Sequence, residues 1–257
     1  MKSELWHIGP LTIYGYGFMI GLGILSAWVL TSLRARKRQL DPDRVFSMVA
    51  WAAIGGLGGA KLLFLVLEFR ELLTDPVYFI HSLGDGFVVY GGIIGGILAI
   101  WLYCRKKRES FLYWFDFLIP QVALGQAFGR LGCLLSGCCY GRVTSHFPYL
   151  VFSESVYAPN HVMLIPTQVY SSILNFANCL FLLALSRHTK KDGQVGAAYL
   201  ICYSGGRFIL EFFRGDTERG YIGLLSTSQF IAVFTFLAGI LLLVWTCAFV
   251  TVRSHSR

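Results

Sequence analysis

The chain has 257 residues, of which 55% are hydrophobic, 16% aromatic and only 14% charged. A soluble domain carries about 25% charged residues, so the composition excludes an ordinary soluble protein and points to one that crosses a membrane several times. The net charge of +8 is not read as a nucleic-acid footprint, because the basic residues sit in short connections between apolar runs, where topology-setting charge belongs.

Seven windows have the length and apolarity of transmembrane helices: Leu11–Leu33, Phe46–Val66, Phe87–Cys104, Phe111–Gly129, Thr167–Ser186, Val195–Phe213 and Thr227–Thr251. The expected fold is therefore all-α, a polytopic membrane protein with seven transmembrane helices, forming one domain over residues 1–257. The start, Met1 to Pro10, has no basic n-region, and the first span is too long for a signal-peptide core, so no cleaved leader is expected. Arg34-Ala35-Arg36-Lys37-Arg38 follows the first span and Arg44 precedes the second. Arg105-Lys106-Lys107-Arg108 follows the third, Arg187 with Lys190 and Lys191 the fifth, and Arg253 and Arg257 the seventh. All lie on one side, which the positive-inside rule makes cytoplasmic, leaving the N-terminus outside and the C-terminus inside. On the outer side, the loop Leu72–Gly86 holds an apolar run, Val77-Tyr78-Phe79-Ile80, suited to the membrane interface. The outer segment Ser136–Pro166 is too small for a domain of its own and reads as a periplasmic cap.

The other cations are the informative ones. Lys61, Arg130 and Arg207 fall within spans or at their outer ends, with Arg142, Arg214 and Arg219 just outside. A guanidinium at membrane depth costs about 3 kcal/mol or more and normally faces a cavity or a partner, and arginine grips phosphate with a two-pronged fork. Arg130 sits in Gly125-Gln126-Ala127-Phe128-Gly129-Arg130-Leu131-Gly132-Cys133, where glycines permit close approach of a ligand or backbone. Arg207, Glu211 and Arg214 are spaced i, i+4, i+7 on one helical face. That stripe suits either a braced phosphate clamp or a plain ion-pair seam between helices. In the third window, Tyr90-Gly91-Gly92-Ile93-Ile94-Gly95-Gly96 carries glycines four apart, the pattern of close helix packing. Tyr90, and Tyr16 in Tyr14-Gly15-Tyr16-Gly17, are placed for substrate contact, proton transfer or interface anchoring.

Of the seven cysteines, Cys104, Cys179, Cys202 and Cys247 lie in spans and read as small apolar residues. Cys133, Cys138 and Cys139 lie at the outer face, where a disulfide and a free nucleophile are both open, and three cannot all pair internally. No metal is expected: the spacing is wrong for a zinc ribbon, and a fourth ligand would have to come from His146 or His161.

Taken together, these segments resemble the prolipoprotein diacylglyceryl transferase family over essentially the whole length. Gly129, Arg130, Gly132 and Gly141 fall on fixed positions of its signature, and Gly206-Arg207-Phe208 with Glu211-Phe212-Phe213-Arg214 and Asp216 matches a second segment. Tyr16-Gly17, Gly59-Ala60-Lys61, Asp116 and Pro166-Thr167-Gln168-Val169-Tyr170 match further positions in order. Departures fall on polar positions: Tyr90 stands for a histidine, Cys133 for an asparagine, Cys138 for a glutamate, Ile165 for a histidine and Ser171 for a glutamate. The resemblance implies transfer of a diacylglyceryl group from phosphatidylglycerol, or a related anionic phospholipid, to the lipobox cysteine thiol of a preprolipoprotein at the outer face of the bacterial inner membrane, without a cofactor. Tyr90, Arg130, Arg207, Glu211, Cys133 and Cys138 are then the catalytic candidates. Tyr16, Lys61, Arg130, Gly141, Arg207 and Arg214 are the substrate-binding ones. Gly141 is expected to permit a tight turn. Two alternatives remain: a cysteine nucleophile that passes a lipid-derived group to another acceptor, and a non-catalytic phospholipid-binding membrane protein.

Overall fold

The computed structural model describes residues 4–8, 11–69, 87–216 and 220–249. The loop expected at Leu72–Gly86 with its run 77–80, residues 1–3, 9 and 10, Arg219, Arg253 and Arg257 lie outside the described residues.

Each predicted window holds a helix among the described residues, although the first opens on a strand, Leu11–Tyr14, and the sixth helix ends at Glu211, short of Phe213. The helices are α1 (Gly15–Lys37), α2 (Pro42–Leu67), α3 (Val89–Lys107), α4 (Phe111–Ser136), α5 (Thr167–His188), α6 (Gln194–Glu211) and α7 (Thr227–Phe249). Short antiparallel pairs accompany them: β1 (Glu4–Ile8) with β2 (Leu11–Tyr14), β3 (Leu150–Val151) with β4 (Met163–Leu164), and β5 (Tyr221–Ile222) with β6 (Leu225–Ser226). Five helices, α1, α2, α4, α5 and α7, are long and apolar enough to cross a membrane. The other two are shorter. α3 has 19 residues and ends in Arg105, Lys106 and Lys107. α6 has 18 residues and carries Arg207 and Glu211, and at 1.5 Å per residue it is about 27 Å long.

The chain forms two compact units, residues 32–114 and residues 1–31 with 115–257. In the first, α2 and α3 pack through glycine. A Cβ on Gly91 would collide with the carbonyl oxygen of Gly59, and one on Gly95 with that of Gly55. The four-residue spacing on both helices thus lets backbone meet backbone, as the small-xxx-small pattern predicts.

In the second unit, Ile119, Ala123 and Leu124 of α4 meet Cys179 and Leu182 of α5 and Val195 and Tyr199 of α6. Asp116 of α4 fixes the start of α6. Its carboxylate accepts from the backbone N–H groups of Gly193 and Gly196, each at 2.8 Å, which satisfies orphan donors of a helix N-terminus. The segment between α4 and α5 folds on a small core of Phe152, Ala158 and Leu164, with Leu134, Tyr140 and Val162 against it.

Candidate functional site

The end of α4 explains how three cysteines meet. Gly137 has φ +77° and donates to Leu134 O at 3.3 Å, while Cys138 N donates to Cys133 O at 3.1 Å. This paired closure is the Schellman motif, which places the residue after the glycine over the helix residue five before it. Those two residues are Cys138 and Cys133. A side chain at position 137 would also strike Ser155 Oγ. Cys139 follows in the left-handed region, φ 59°, and the three sulfurs lie within 4.8 Å of one another as free thiols.

Two residues of α5 hold this turn. Thr167 Oγ1 donates to Cys139 O and Gln168 Nε2 to Cys138 O, both at 2.9 Å. Next comes Gly141, whose role differs from the expected tight turn. Its φ is not positive; a Cβ there would collide with Ile165 O. Gly141 lies in a three-strand crossing, bridged to Arg214, with Arg142 N donating to Phe213 O at 2.9 Å and Gly215 N to Tyr140 O at 3.0 Å. Close backbone approach, and not turn geometry, requires the glycine.

That crossing brings the end of α6 beside the end of α4. Arg130, Cys139, Arg207 and Arg214 line one small hollow, floored by Thr167, Gln168 and Ser171 of α5. Arg207 donates to Ser228 Oγ at 2.9 Å and pairs with Glu211 Oε2 at 2.9 Å. Glu211 is 2% exposed and also meets Arg214 at 3.6 Å, so the i, i+4, i+7 stripe is a carboxylate braced by two cations. Arg214 has a second anchor. Its Nε donates to Asp216 Oδ1 at 2.9 Å, and its Nη2 pairs with Asp216 Oδ2. Burial works against the charge on Arg214, but the Asp216 hydrogen bond and the anionic neighbours outweigh it, and its pKa is raised. Arg130 Nη1 lies 4.0 Å from Cys139 Sγ. Hydrogen bonds from Cys133 and Cys138, with the Arg214 and Arg130 charges, overcome burial and lower the pKa of Cys139; the same thiol contacts raise that of Cys138.

From the hollow an apolar groove of about 270 Å³ runs between α5 and α6, walled by Leu174, Phe181 and Leu210 and ending at Arg207. Tyr203 lines it and stands beside Arg130, stacked on Tyr199 at 5.5 Å. Tyr199 OH in turn donates to Gln126 Oε1 at 3.0 Å.

Among the sequence candidates, Arg130, Arg207, Glu211 and Arg214 are brought together. Tyr16 belongs to the same unit and packs its ring on Gly132. Lys61 and Tyr90 belong to the other unit, where Lys61 Nζ lies 4.9 Å from the Phe64 ring and 5.3 Å from Phe87. Cys139, open in the sequence as nucleophile or disulfide partner, lines the hollow, and tertiary contacts add Thr167, Tyr203 and Ser228. His146 and His161 are exposed and do not join the cysteine cluster.

The family model for prolipoprotein diacylglyceryl transferase matches residues 3–245. A relative named phosphatidylglycerol–prolipoprotein diacylglyceryl transferase, from Clostridium tetani (strain Massachusetts / E88), is 46% identical over 93% of this chain and 96% of its own length. A second, named phosphatidylglycerol–prolipoprotein diacylglyceryl transferase 2, from Clostridium perfringens (strain 13 / Type A), is 45% identical over 94% of each chain. One from Clostridium botulinum (strain 657 / Type Ba4) is 32% identical over 91% of this chain and 94% of its own. With this coverage at both ends, the chain belongs to the prolipoprotein diacylglyceryl transferase family of membrane enzymes.

Proposed function

We propose that the chain transfers the diacylglyceryl group of phosphatidylglycerol to the lipobox cysteine thiol of a prolipoprotein, working as one membrane-embedded transferase domain at the outer face of the bacterial inner membrane. The supporting observation is the hollow that Arg130, Arg207 and Arg214 line together, continuous with an apolar groove through Arg207. A phospholipid has that same division into anionic head and apolar tail.

In this reading Arg130 and Arg207 fork onto the phosphate, and Glu211 holds Arg207 in the orientation that receives it. The acceptor cysteine attacks as thiolate on the glyceryl carbon. A carbon–sulfur bond forms, the carbon–oxygen bond to phosphate breaks, and glycerol phosphate departs with the electron pair. Charge growing on the departing phosphate is met by guanidiniums already in place. Arg214, tied to Asp216, contributes charge from behind. Tyr16, Lys61 and Tyr90 are assigned to substrate contact, with Tyr90 or Glu211 receiving the thiol proton. All seven helices are taken to cross the membrane, N-terminus outside, with residues 136–166 as the periplasmic cap.

A relay through an enzyme cysteine is the second reading. Cys139 is the cysteine that lines the hollow among the described residues, so it, and not Cys133 or Cys138, would be the acceptor in such a relay. The linkage formed would be a thioether, whose carbon–sulfur bond must then break with a thiolate leaving, a harder step than direct transfer.

The test is reconstitution in vesicles containing labelled phosphatidylglycerol and a lipobox peptide. Label appearing on the peptide thiol, with glycerol phosphate released in equal amount, is the expected result. Tight phospholipid binding with no turnover would overturn it in favour of a non-catalytic binder. A lipid adduct on the enzyme's intact mass before peptide is added would select the relay.

A further inference from the structure

We propose that Cys133, Cys138 and Cys139 form a trigonal thiolate site for a soft, thiophilic cation, with Cu(I) the ion whose coordination it fits. The proposal stands on the cysteines themselves and is independent of the transfer reaction.

The geometry comes first. A metal–thiolate bond of about 2.3 Å, repeated three times in a plane, sets the sulfurs about 4 Å apart. The three sulfurs already lie within 4.8 Å of one another, so a small rotation of the side chains closes the triangle. The triangle is also built, and not a chance approach of mobile side chains. The helix cap stacks Cys138 on Cys133, with Cys138 Sγ 3.8 Å from Cys133 O. The left-handed backbone at Cys139 turns the third thiol toward the other two. Thr167 and Gln168 pin the carbonyls on either side of that peptide.

The donor set then selects the ion. Thiolates prefer soft cations, and Zn²⁺ in structural sites takes four protein ligands. Among the described residues no histidine, aspartate or glutamate completes a fourth position in this cluster. Three sulfurs and no fourth donor suit Cu(I). Charge is compensated locally. A monovalent ion with three thiolates carries two net negative charges, and Arg130 Nη1 lies 4.0 Å from Cys139 Sγ while Arg214 lines the same hollow as Cys139. Binding exchanges three thiol protons for one cation and needs no oxidant.

The experiment uses full-length protein in detergent under anaerobic conditions, titrated with Cu(I) held by a coloured chelator. The wild-type chain should withdraw one tight equivalent, as should the Cys104→Ser/Cys179→Ser/Cys202→Ser/Cys247→Ser variant. The Cys133→Ser/Cys138→Ser/Cys139→Ser variant should withdraw none, and each single replacement in the triad should weaken binding at least about 100-fold. Copper X-ray absorption of the loaded wild-type protein, which needs no variant to fold, should show three sulfurs at about 2.3 Å. The proposal is overturned if the triple variant keeps its equivalent, or if absorption shows two sulfurs. It fails equally if wild-type protein whose three triad thiols are all alkylatable leaves the chelator untouched, or if mass analysis finds two of the three cysteines bridged in the protein as isolated.

Discussion

Two regions of this chain bring helices together by opposite means. Between α2 and α3, glycines remove side chains until backbone touches backbone. At the end of α6, Arg207 and the buried Glu211 sit in an apolar helix, and Arg214, just past that end, meets the same carboxylate. The first contact relies on shape. The second leaves cationic donors aimed into a hollow. In a membrane, packing by glycine is sufficient for association, so on the proposed topology charge kept at depth in the other region is there for work other than holding helices together.

The sharpest way to break this contrast is Glu211→Ala. Without the carboxylate, two buried guanidiniums face each other, and the expected loss is about 3–5 kcal/mol in stability together with transfer activity; a thermal melt and a transfer assay on the same preparation check both. Arg207→Lys keeps the charge and removes the fork. It should leave the melt nearly unchanged while lowering transfer roughly 100–1,000-fold, and equal losses in both would mean that the stripe is only a seam. The converse substitution, Gly59→Leu, should cost about 1–3 kcal/mol by overpacking, seen as a lower melting temperature. Smaller still is Gly137→Ala, at about 1–2 kcal/mol for a left-handed position, with faster proteolysis between residues 137 and 166 as its readout. Thr167→Val should cost about 0.5–1.5 kcal/mol and be visible mainly as faster alkylation of Cys139.

Local features were legible in the sequence, and features assembled from distant segments were not. All seven helices could be read, because each is a long apolar run. The Arg207–Glu211 pair could be read because it lies on one helix, where spacing fixes the face; Arg214, expected on that face, lies past the helix end, bridged to Gly141, and reaches Glu211 from there. The glycine seam was half legible: Gly91 and Gly95 carry the four-residue pattern, but their partners Gly55 and Gly59 emerge only from the packing. Gly141 was misread, since a glycine needed for close approach looks the same in sequence as one needed for a turn. The cysteine triangle had a signal that went unused: Gly137 just past a helix end implies a cap that stacks residue 138 on 133. Asp216 was noted only as part of a matching segment, and its fork with Arg214 depends on how the chain leaves α6. Nothing in the sequence could place Thr167 and Gln168 under the carbonyls of Cys139 and Cys138, 28 and 30 residues earlier in the chain.

The groove between α5 and α6 carries one more consequence. Its walls include Leu174 and Phe181, which are 46% and 48% exposed, so on the proposed topology it opens sideways into surrounding hydrocarbon. A lipid entering by that doorway never leaves its leaflet. Its arrival is then a two-dimensional search, governed by how densely the lipid populates the sheet. Diluting the anionic lipid with inert neutral lipid, at constant total amount, should slow turnover, whereas adding more vesicles of the same composition should not speed it.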